Sequence, residues 1–403
     1  MRPSWSNARV TNEQSNESTN LPDATILPGA TIGMVGGGQL GRMFAIAAMQ
    51  MGYDVVVFCG SSDEPAGQVA TRTVTGNLMD RETVHKFAAQ CDVITLEFEN
   101  IPAETMRWCG EFAPTYPSHH VLATAQDRLI EKQTFHDAGL AVTPFQSVRS
   151  ADEVRSFATQ YGWPVIVKTA RSGYDGKGQY RLQNESDAHD VPWDSADAWI
   201  AEQCISFQRE ASVIVARSSV GEIRCFPPFE NEHRNHILDV SFCPSTLSGD
   251  QCDQATRIAT KAAEVLDLVG VLCVEFFVVD ETTLLINEVA PRPHNSGHLT
   301  IEACHTSQFQ QHVRAVCGLP LGSTDLRVGG AAMANLLGDV WETDGANPCW
   351  NRSLSIPSVS LHLYGKAEPK IGRKMGHLTS TGRSVEDAVQ SVNDARDALE
   401  RVL

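Results

Sequence analysis

The chain has 403 residues, 42% of them hydrophobic, and a formal net charge of -17; its mean hydropathy is -0.19. This describes a globular chain of about two to four domains, with no run near the ~18 apolar residues that cross a bilayer. The acidic balance argues against a broad basic nucleic-acid surface, so any anionic ligand must be held by local cations. The 11 cysteines are scattered without a C-x-x-C pair, which points to neither a zinc site nor a disulfide framework and fits a reducing cytoplasm. Residues 1–30 are polar and lack an apolar segment of the kind a secretion signal carries, so they read as a disordered extension.

From residue 31 the pattern is ordered. "ATIGMVGG" reads as a strand entering a tight turn, "QLGRMFAIAAMQMG" as a helix closed by Gly52, and "YDVVVFCG" as a second strand. With the buried strand in "CDVITLEFENIP", residues 31–125 predict a Rossmann-like doubly wound sheet with ligands at the strand carboxyl ends. Gly36, Gly38 and Gly41 have the spacing of a dinucleotide fingerprint, but the second strand ends in Cys59 and Gly60, where an acidic residue should hold the ribose. Three readings fit the loop: a dinucleotide site, a tight packing turn, or a helix N-terminus holding another anion or a sugar.

Residues 126–205 begin with a helix that puts Arg128 and Lys132 on one face and ends at Gly139, followed by a small α+β module. There Lys168 closes a strand, and Gly173, Gly176 and Gly178 form a flexible turn with Lys177, suited to fold over phosphates or to stand as an exposed hairpin. In residues 206–330, a hairpin turning at Asp280 to Thr283 sets Glu275 directly opposite Glu288. Facing carboxylates repel, and a divalent cation with oxygen ligands, Mg²⁺ above all, removes that cost, with Asn287 and Asn295 near in sequence; otherwise one carboxylate faces solvent or pairs with Arg292. "APRPHNSGH" follows, where the prolines and Gly297 forbid a helix, leaving a loop that presents Arg292, His294, Asn295 and Ser296 to an anion or ribose, or that satisfies its own backbone. Residues 331–403 are strand-rich, cluster Lys366, Lys370, Arg373 and Lys374, and end in a helix with Val385, Val389, Val392 and Leu399 on one stripe.

In chain order, "GGGQLGRM", "EFENIP", "DRLIEKQTF", "VKTARSGYDGKGQ", "EQCISFQRE", "VEFFV", "INEVAPRPHNSGH" and "GRKMGHL" resemble the N5-carboxyaminoimidazole ribonucleotide synthetases of the ATP-grasp superfamily over about residues 31 to 380. The resemblance implies an N-terminal Rossmann-like domain, lid and central ATP-grasp regions, and a small β-rich C-terminal region. It implies that ATP phosphorylates bicarbonate to carboxyphosphate, whose carboxyl passes to the amine of 5-aminoimidazole ribonucleotide. By matching position, ATP would meet Arg128, Lys168, the run Gly173, Tyr174, Asp175, Gly176, Lys177, Gly178 and Gln179, then Glu202, Gln203, Ile205, Glu210, His233, Asn287 and Glu288. Glu275 and Glu288 would carry Mg²⁺ or Mn²⁺. Similarity to glycinamide ribonucleotide transformylase suggests that Gln39, Leu40, Glu97 and Asn295 hold the ribonucleotide, with Lys366, Arg373 and Lys374 at its phosphate. The opening loop would then touch substrate through Gln39 and Leu40 and hold no nicotinamide.

Such chemistry needs positioning and charge neutralisation more than a nucleophile. Arg292 is expected to neutralise bicarbonate or carboxyphosphate, Asp175 to bond the substrate amine, and Lys168 to act on the phosphates, with the lid excluding water. Ala290 stands where many ATP-grasp enzymes carry a metal-binding Asn, which removes a third metal ligand. A cytoplasmic homodimer that passes its product to a separate mutase is the family expectation. The rival readings are a ligase for another amine, such as glycinamide ribonucleotide, a nicotinamide oxidoreductase, and a non-catalytic nucleotide-binding regulator.

Overall fold

The near-continuous apolar runs at Thr31–Val35, Asp54–Cys59 and Val93–Leu96 are buried almost throughout, as strands covered on both faces must be. In this computed structural model, which describes residues 25–171, 178–341 and 347–399, those strands and Arg72–Thr75 form a four-stranded parallel sheet. The helix Gln39–Gln50 covers it with Leu40, Met43, Phe44, Ala47 and Ala48. Gly52 follows this helix at a φ of 86°, a left-handed turn that glycine takes at no steric cost.

A second four-stranded sheet joins Phe145–Val148, Trp199–Gln203, Val165–Thr169 and Gln179–Leu182. Backed by the helix Ala151–Tyr161, it has its own core of Val148, Val154, Phe157, Val165, Val167 and Trp199, the independent packing expected of a lid.

The third sheet has nine strands and runs from the hairpin Gly270–Val278 and Leu284–Ala290 to the C-terminal strands Gly330–Leu337, Lys374–Gly382 and Val359–Leu363. The helix Gly249–Val265, opened by a Ser248–Gln251 capping box, packs on it through Ala255, Ala259, Ala262 and Ala263, small side chains that let backbone approach backbone. The helix Val385–Asp397 covers the far end, burying Val392, with Leu399 buried just beyond and Val385 and Val389 packed beside them. The helix Gln308–Val316 links the first and third sheets: its buried His312 sets Nε2 2.8 Å from Thr95 Oγ1, and Nδ1 accepts the Val271 amide at 3.1 Å. Among the described residues, no helix is long and apolar enough to cross a membrane.

Candidate active site

The hairpin puts Glu275 directly opposite Glu288. One step on, Phe276 opposes Ile286, so Asn287 is an inserted bulge residue, and its carbonyl accepts the Lys132 ammonium at 3.0 Å. Glu275 is paired to His294 Nε2 at 2.9 Å; burial works against its charge, but His294, His233 and Lys374 together hold the carboxyl low. Glu288 opens onto a cleft and takes part in no hydrogen bond or ion pair among the described residues. Desolvation, and after it the Glu275 charge, push its carboxyl up.

Two facing acids, one of them without an ion-pair partner among the described residues, are a donor set for a hard divalent cation. Cys273, Glu275 and His294 also bring ligand atoms within 4.8 Å of one another. The Cys273 thiol is fully buried and its pKa is pushed well up, so the thiolate that a soft metal requires is disfavoured. The chemistry of the site therefore fits Mg²⁺ or Mn²⁺ on Glu275 and Glu288.

The cleft has a volume of ≈ 730 Å³ between lid and central sheet. Arg128, Lys168, Gln179, Glu202, Gln203 and Ile205 line one side; Glu210, His233, Asn287 and Glu288 line the other. Gly178 lies at the start of the strand that carries Gln179, at a φ of 70°. Gly173, Tyr174, Asp175, Gly176 and Lys177 lie outside the described residues. Glu202 is 3% exposed and receives Lys168 Nζ at 2.8 Å and Lys132 Nζ at 3.5 Å. Burial alone would raise its pKa, but the two lysines lower it to about 2. Its carboxylate thus holds Lys168, which faces the cleft, and the buried Lys132 behind it. His233 Nδ1 lies 2.8 Å from Glu210, which, against desolvation, raises the imidazole pKa.

A smaller cavity of ≈ 230 Å³ is lined by Gln39, Leu40, Glu97, Arg292, His294, Asn295 and Lys374. The last four of these also line the cleft, so the two spaces meet there. Arg292 pairs with Glu99; although burial opposes the Glu99 charge, Arg292 holds that carboxyl to about 2. Asn295 is 7% exposed, and neither its Oδ1 nor its Nδ2 has a partner among the described residues. A buried amide left open toward a cavity is a group waiting for a ligand.

The glycine loop is settled by Glu97, whose carboxylate accepts the Gly38 N–H, and the Gly41 N–H at 3.1 Å. The anion seat at the helix N-terminus is filled from within, and a Cβ on Gly36 would come 2.5 Å from Glu97 Cγ. A pyrophosphate cannot share that seat, which removes the dinucleotide reading.

Three expected residues stand away from the cavities. Ser296 is fully buried beneath the site, with its hydroxyl 2.8 Å from Ser212 and 2.9 Å from His294 Nδ1, so it does not present to a ligand as the loop reading had it. Its loop does avoid a full helix, forming only a 3-10 turn at Asn295–Gly297. Lys366 donates to the Lys374 carbonyl at 2.6 Å and sits over the Tyr364 ring at 5.6 Å. Arg373 is exposed and donates to the Glu368 carbonyl at 2.9 Å. Sequence reasoning gave no role to Glu99, Glu131 or Lys132. Glu131 is 3% exposed and lines the cleft, with its carboxyl pushed up by burial and then by Glu288. The one available signal was Lys132 sharing a helix face with Arg128.

A nucleotide-sized cleft between a lid sheet and a central sheet, with Arg128 and Lys168 on one wall and Glu275 and Glu288 on the other, defines an ATP-grasp enzyme, and the chain matches the ATP-grasp domain family over residues 133–309. It also matches the ribonucleotide synthetase preATP-grasp domain over 29–126 and the phosphoribosylaminoimidazole carboxylase C-terminal domain over 331–391. It is 42% identical over 370 residues to the N5-carboxyaminoimidazole ribonucleotide synthase of Bacillus subtilis, covering 92% of this chain and 96% of that one. The ADP complex of the Staphylococcus aureus N5-carboxyaminoimidazole synthetase superposes with a TM-score of 0.85 at 38% identity, covering 92% of this chain and 98% of that one. The Aspergillus clavatus enzyme in complex with ADP and 5-aminoimidazole ribonucleotide does so with a TM-score of 0.84 at 30% identity, covering 93% and 99%. The chain belongs to the N5-carboxyaminoimidazole ribonucleotide synthase family.

Proposed function

We infer that this protein carboxylates the amine of 5-aminoimidazole ribonucleotide, using ATP and bicarbonate and releasing ADP and phosphate. The observation that carries this reading is the junction of the two cavities at Arg292, His294, Asn295 and Lys374: a phosphoryl donor in the larger and a nucleotide acceptor in the smaller would meet there.

A bicarbonate oxygen attacks the γ-phosphorus of ATP, the bond to the β-bridging oxygen breaks, and ADP leaves. The acceptor amine then attacks the carbonyl carbon of carboxyphosphate, and phosphate departs with the electrons of the C–O bond while the amine loses a proton. Arg292 and Lys168 neutralise negative charge on the carboxyl and phosphoryl groups, and Arg128 and His233 flank the nucleotide. Glu275 and Glu288 hold Mg²⁺ or Mn²⁺, which when bound supplies charge neutralisation at the phosphates. Glu97, Gln39, Leu40, Asn295 and Lys374 hold the ribonucleotide, with Lys366 and Arg373 on the side of its phosphate, and Asp175 meets the amine. The enzyme works in the cytoplasm as a homodimer and passes its product to a separate mutase.

The test is acceptor dependence. ADP release in bicarbonate should rise strongly when 5-aminoimidazole ribonucleotide is added and not when glycinamide ribonucleotide is added. Equal release with both acceptors, or no response to either, contradicts the reading.

A further inference from the structure

The strands Phe229–Arg234 and Ile237–Cys243 form a hairpin whose tip, Asn235 and His236, lines the larger cleft together with His233 and Leu238. Both tip residues are left-handed, with φ of 50° and 65°, as a two-residue turn between twisted strands requires. Asn231 opposes Ser241 and Glu232 opposes Val240, but His233 opposes Leu238. Asp239 is therefore an inserted residue, and the strand changes phase there. Beyond it, Val240 and Phe242 pack with Val392 and Ala395 under the C-terminal helix. Regular alternation would put Leu238 on that face and turn Asp239 to the side of Ser241. The bulge exchanges the two: Leu238 joins Phe229 and Cys243 and lines the cleft, while Asp239 turns to the C-terminal helix.

Three side chains hold this exchange in place. Arg396 of the C-terminal helix grips both oxygens of Asp239, with Nη2 on Oδ2 at 3.3 Å, and Asn393 Oδ1 accepts the same Nη2 at 2.9 Å. The paired side chains are only 15% and 13% exposed, so water screens them little. Arg234 Nε reaches Asp239 Oδ2 at 2.9 Å. From the neighbouring strand, the buried Asn335 donates to the Leu238 carbonyl at 2.7 Å, satisfying a backbone group beside the disrupted ladder.

We propose that Asp239, Arg396 and Asn335 are positioning residues for the nucleotide: they clamp a strand phase that sets Leu238 beside His233 on the cleft wall and keeps a carboxylate off it. An acid on that wall would repel an anionic ligand. The C-terminal helix Val385–Asp397 lines neither cavity, yet through Arg396 it governs the shape of the larger one. The effect on nucleotide rests on the function proposed above; the clamp on the hairpin does not.

The test is calorimetric titration of the full chain with ADP, joined to hydrogen exchange over residues 232–239 without nucleotide. Arg396→Ala should bind ADP on the order of 10-fold more weakly and exchange faster over the hairpin tip, and Arg396→Lys should recover part of both losses. Val392→Ala removes buried packing from the same helix without touching Asp239. It should lower the melting temperature while ADP affinity and tip exchange stay native. ADP affinity that is unchanged in Arg396→Ala, or that falls equally in Val392→Ala, overturns the nucleotide role. Tip exchange unchanged in Arg396→Ala overturns the clamp. If Arg396→Ala does not fold, Asp239→Asn decides by the same two readings. A native chain that binds no ADP contradicts the proposed function and the nucleotide role with it, and tip exchange then decides the clamp alone.

Discussion

Glu275 and Glu288 face each other across adjacent strands, and among the described residues Glu275 is ion-paired to His294 while Glu288 makes no ion pair. Facing like charges cost on the order of 0.2–1 kcal/mol, so the ligand-free protein carries a small instability that a divalent cation relieves. Glu288→Gln should melt at the same temperature as the native chain or about a degree higher. It should lose the rise in melting temperature that Mg²⁺ gives the native chain, and its activity should fall by roughly 10²-fold or more. Calorimetric melts with and without Mg²⁺ check this; an unchanged Mg²⁺ response in the variant would count against these ligands.

Glu97 closes the helix Gln39–Gln50 and lines the smaller cavity. Glu97→Gln turns an amide N–H₂ toward one of the two glycine N–H groups, which costs about 1–3 kcal/mol for an unsatisfied donor pair. Urea unfolding should show that loss, and the KM for the ribonucleotide should rise on the order of 10-fold, by the ~1.4 kcal/mol of one lost polar contact. Added NAD should leave the melting temperature of the native protein unchanged.

Glu202 neutralises Lys132 and Lys168 inside the protein. Glu202→Gln leaves Lys132, only 3% exposed at its side chain, as an uncompensated buried cation, at a cost of roughly 3 kcal/mol. The folded pKa of Glu202 is depressed to about 2 from an ordinary 4.5, so its contribution is complete above pH 4.5 and is lost as pH falls toward 2. Unfolding midpoints at neutral pH and at pH 3 should therefore separate native chain and variant more widely at neutral pH.

His312 is fully buried, and desolvation lowers its pKa from 6.5 to about 3. A depressed imidazole pKa means that the neutral form is the folded form. Its contribution is complete above pH 6.5 and drains as pH falls from there toward 3, at about 1.4 kcal/mol per pH unit. His298 and His377, both buried with pKa values well below 6.5, add slopes of the same sign. His312→Gln should show a shallower loss of stability between pH 6.5 and 5 than the native chain; equal slopes would contradict the assignment.

Much of this was legible in the sequence because strand register and glycine spacing are local properties. Counting from a turn at Asp280 to Thr283 gave the Glu275–Glu288 pairing, which the strands reach through the Asn287 bulge; Gln39 and Leu40 came from the family resemblance alone. The Asn287 bulge was not legible, since an inserted residue leaves no mark on a two-residue period; what stabilises it, Lys132, comes from a helix 155 positions away in sequence. The same holds for Glu97, whose role as an internal anion depends on two parallel strands lying side by side. The cluster of Lys366, Lys370, Arg373 and Lys374 looked uniform in sequence, yet only Lys374 lines the cavities, because it opens the strand Lys374–Gly382 while Lys370 and Arg373 remain exposed before it. Ser296 seemed part of a presenting loop because sequence alone cannot show which way a side chain turns.

The central claim is that bicarbonate is phosphorylated before the amine is carboxylated, and oxygen tracing tests it directly. With ¹⁸O-labelled bicarbonate, the oxygen that attacks phosphorus stays on phosphate when the C–O bond breaks. Phosphorus NMR of the released phosphate should show one ¹⁸O atom per turnover in the presence of 5-aminoimidazole ribonucleotide. Phosphate released with no label from bicarbonate would contradict the account.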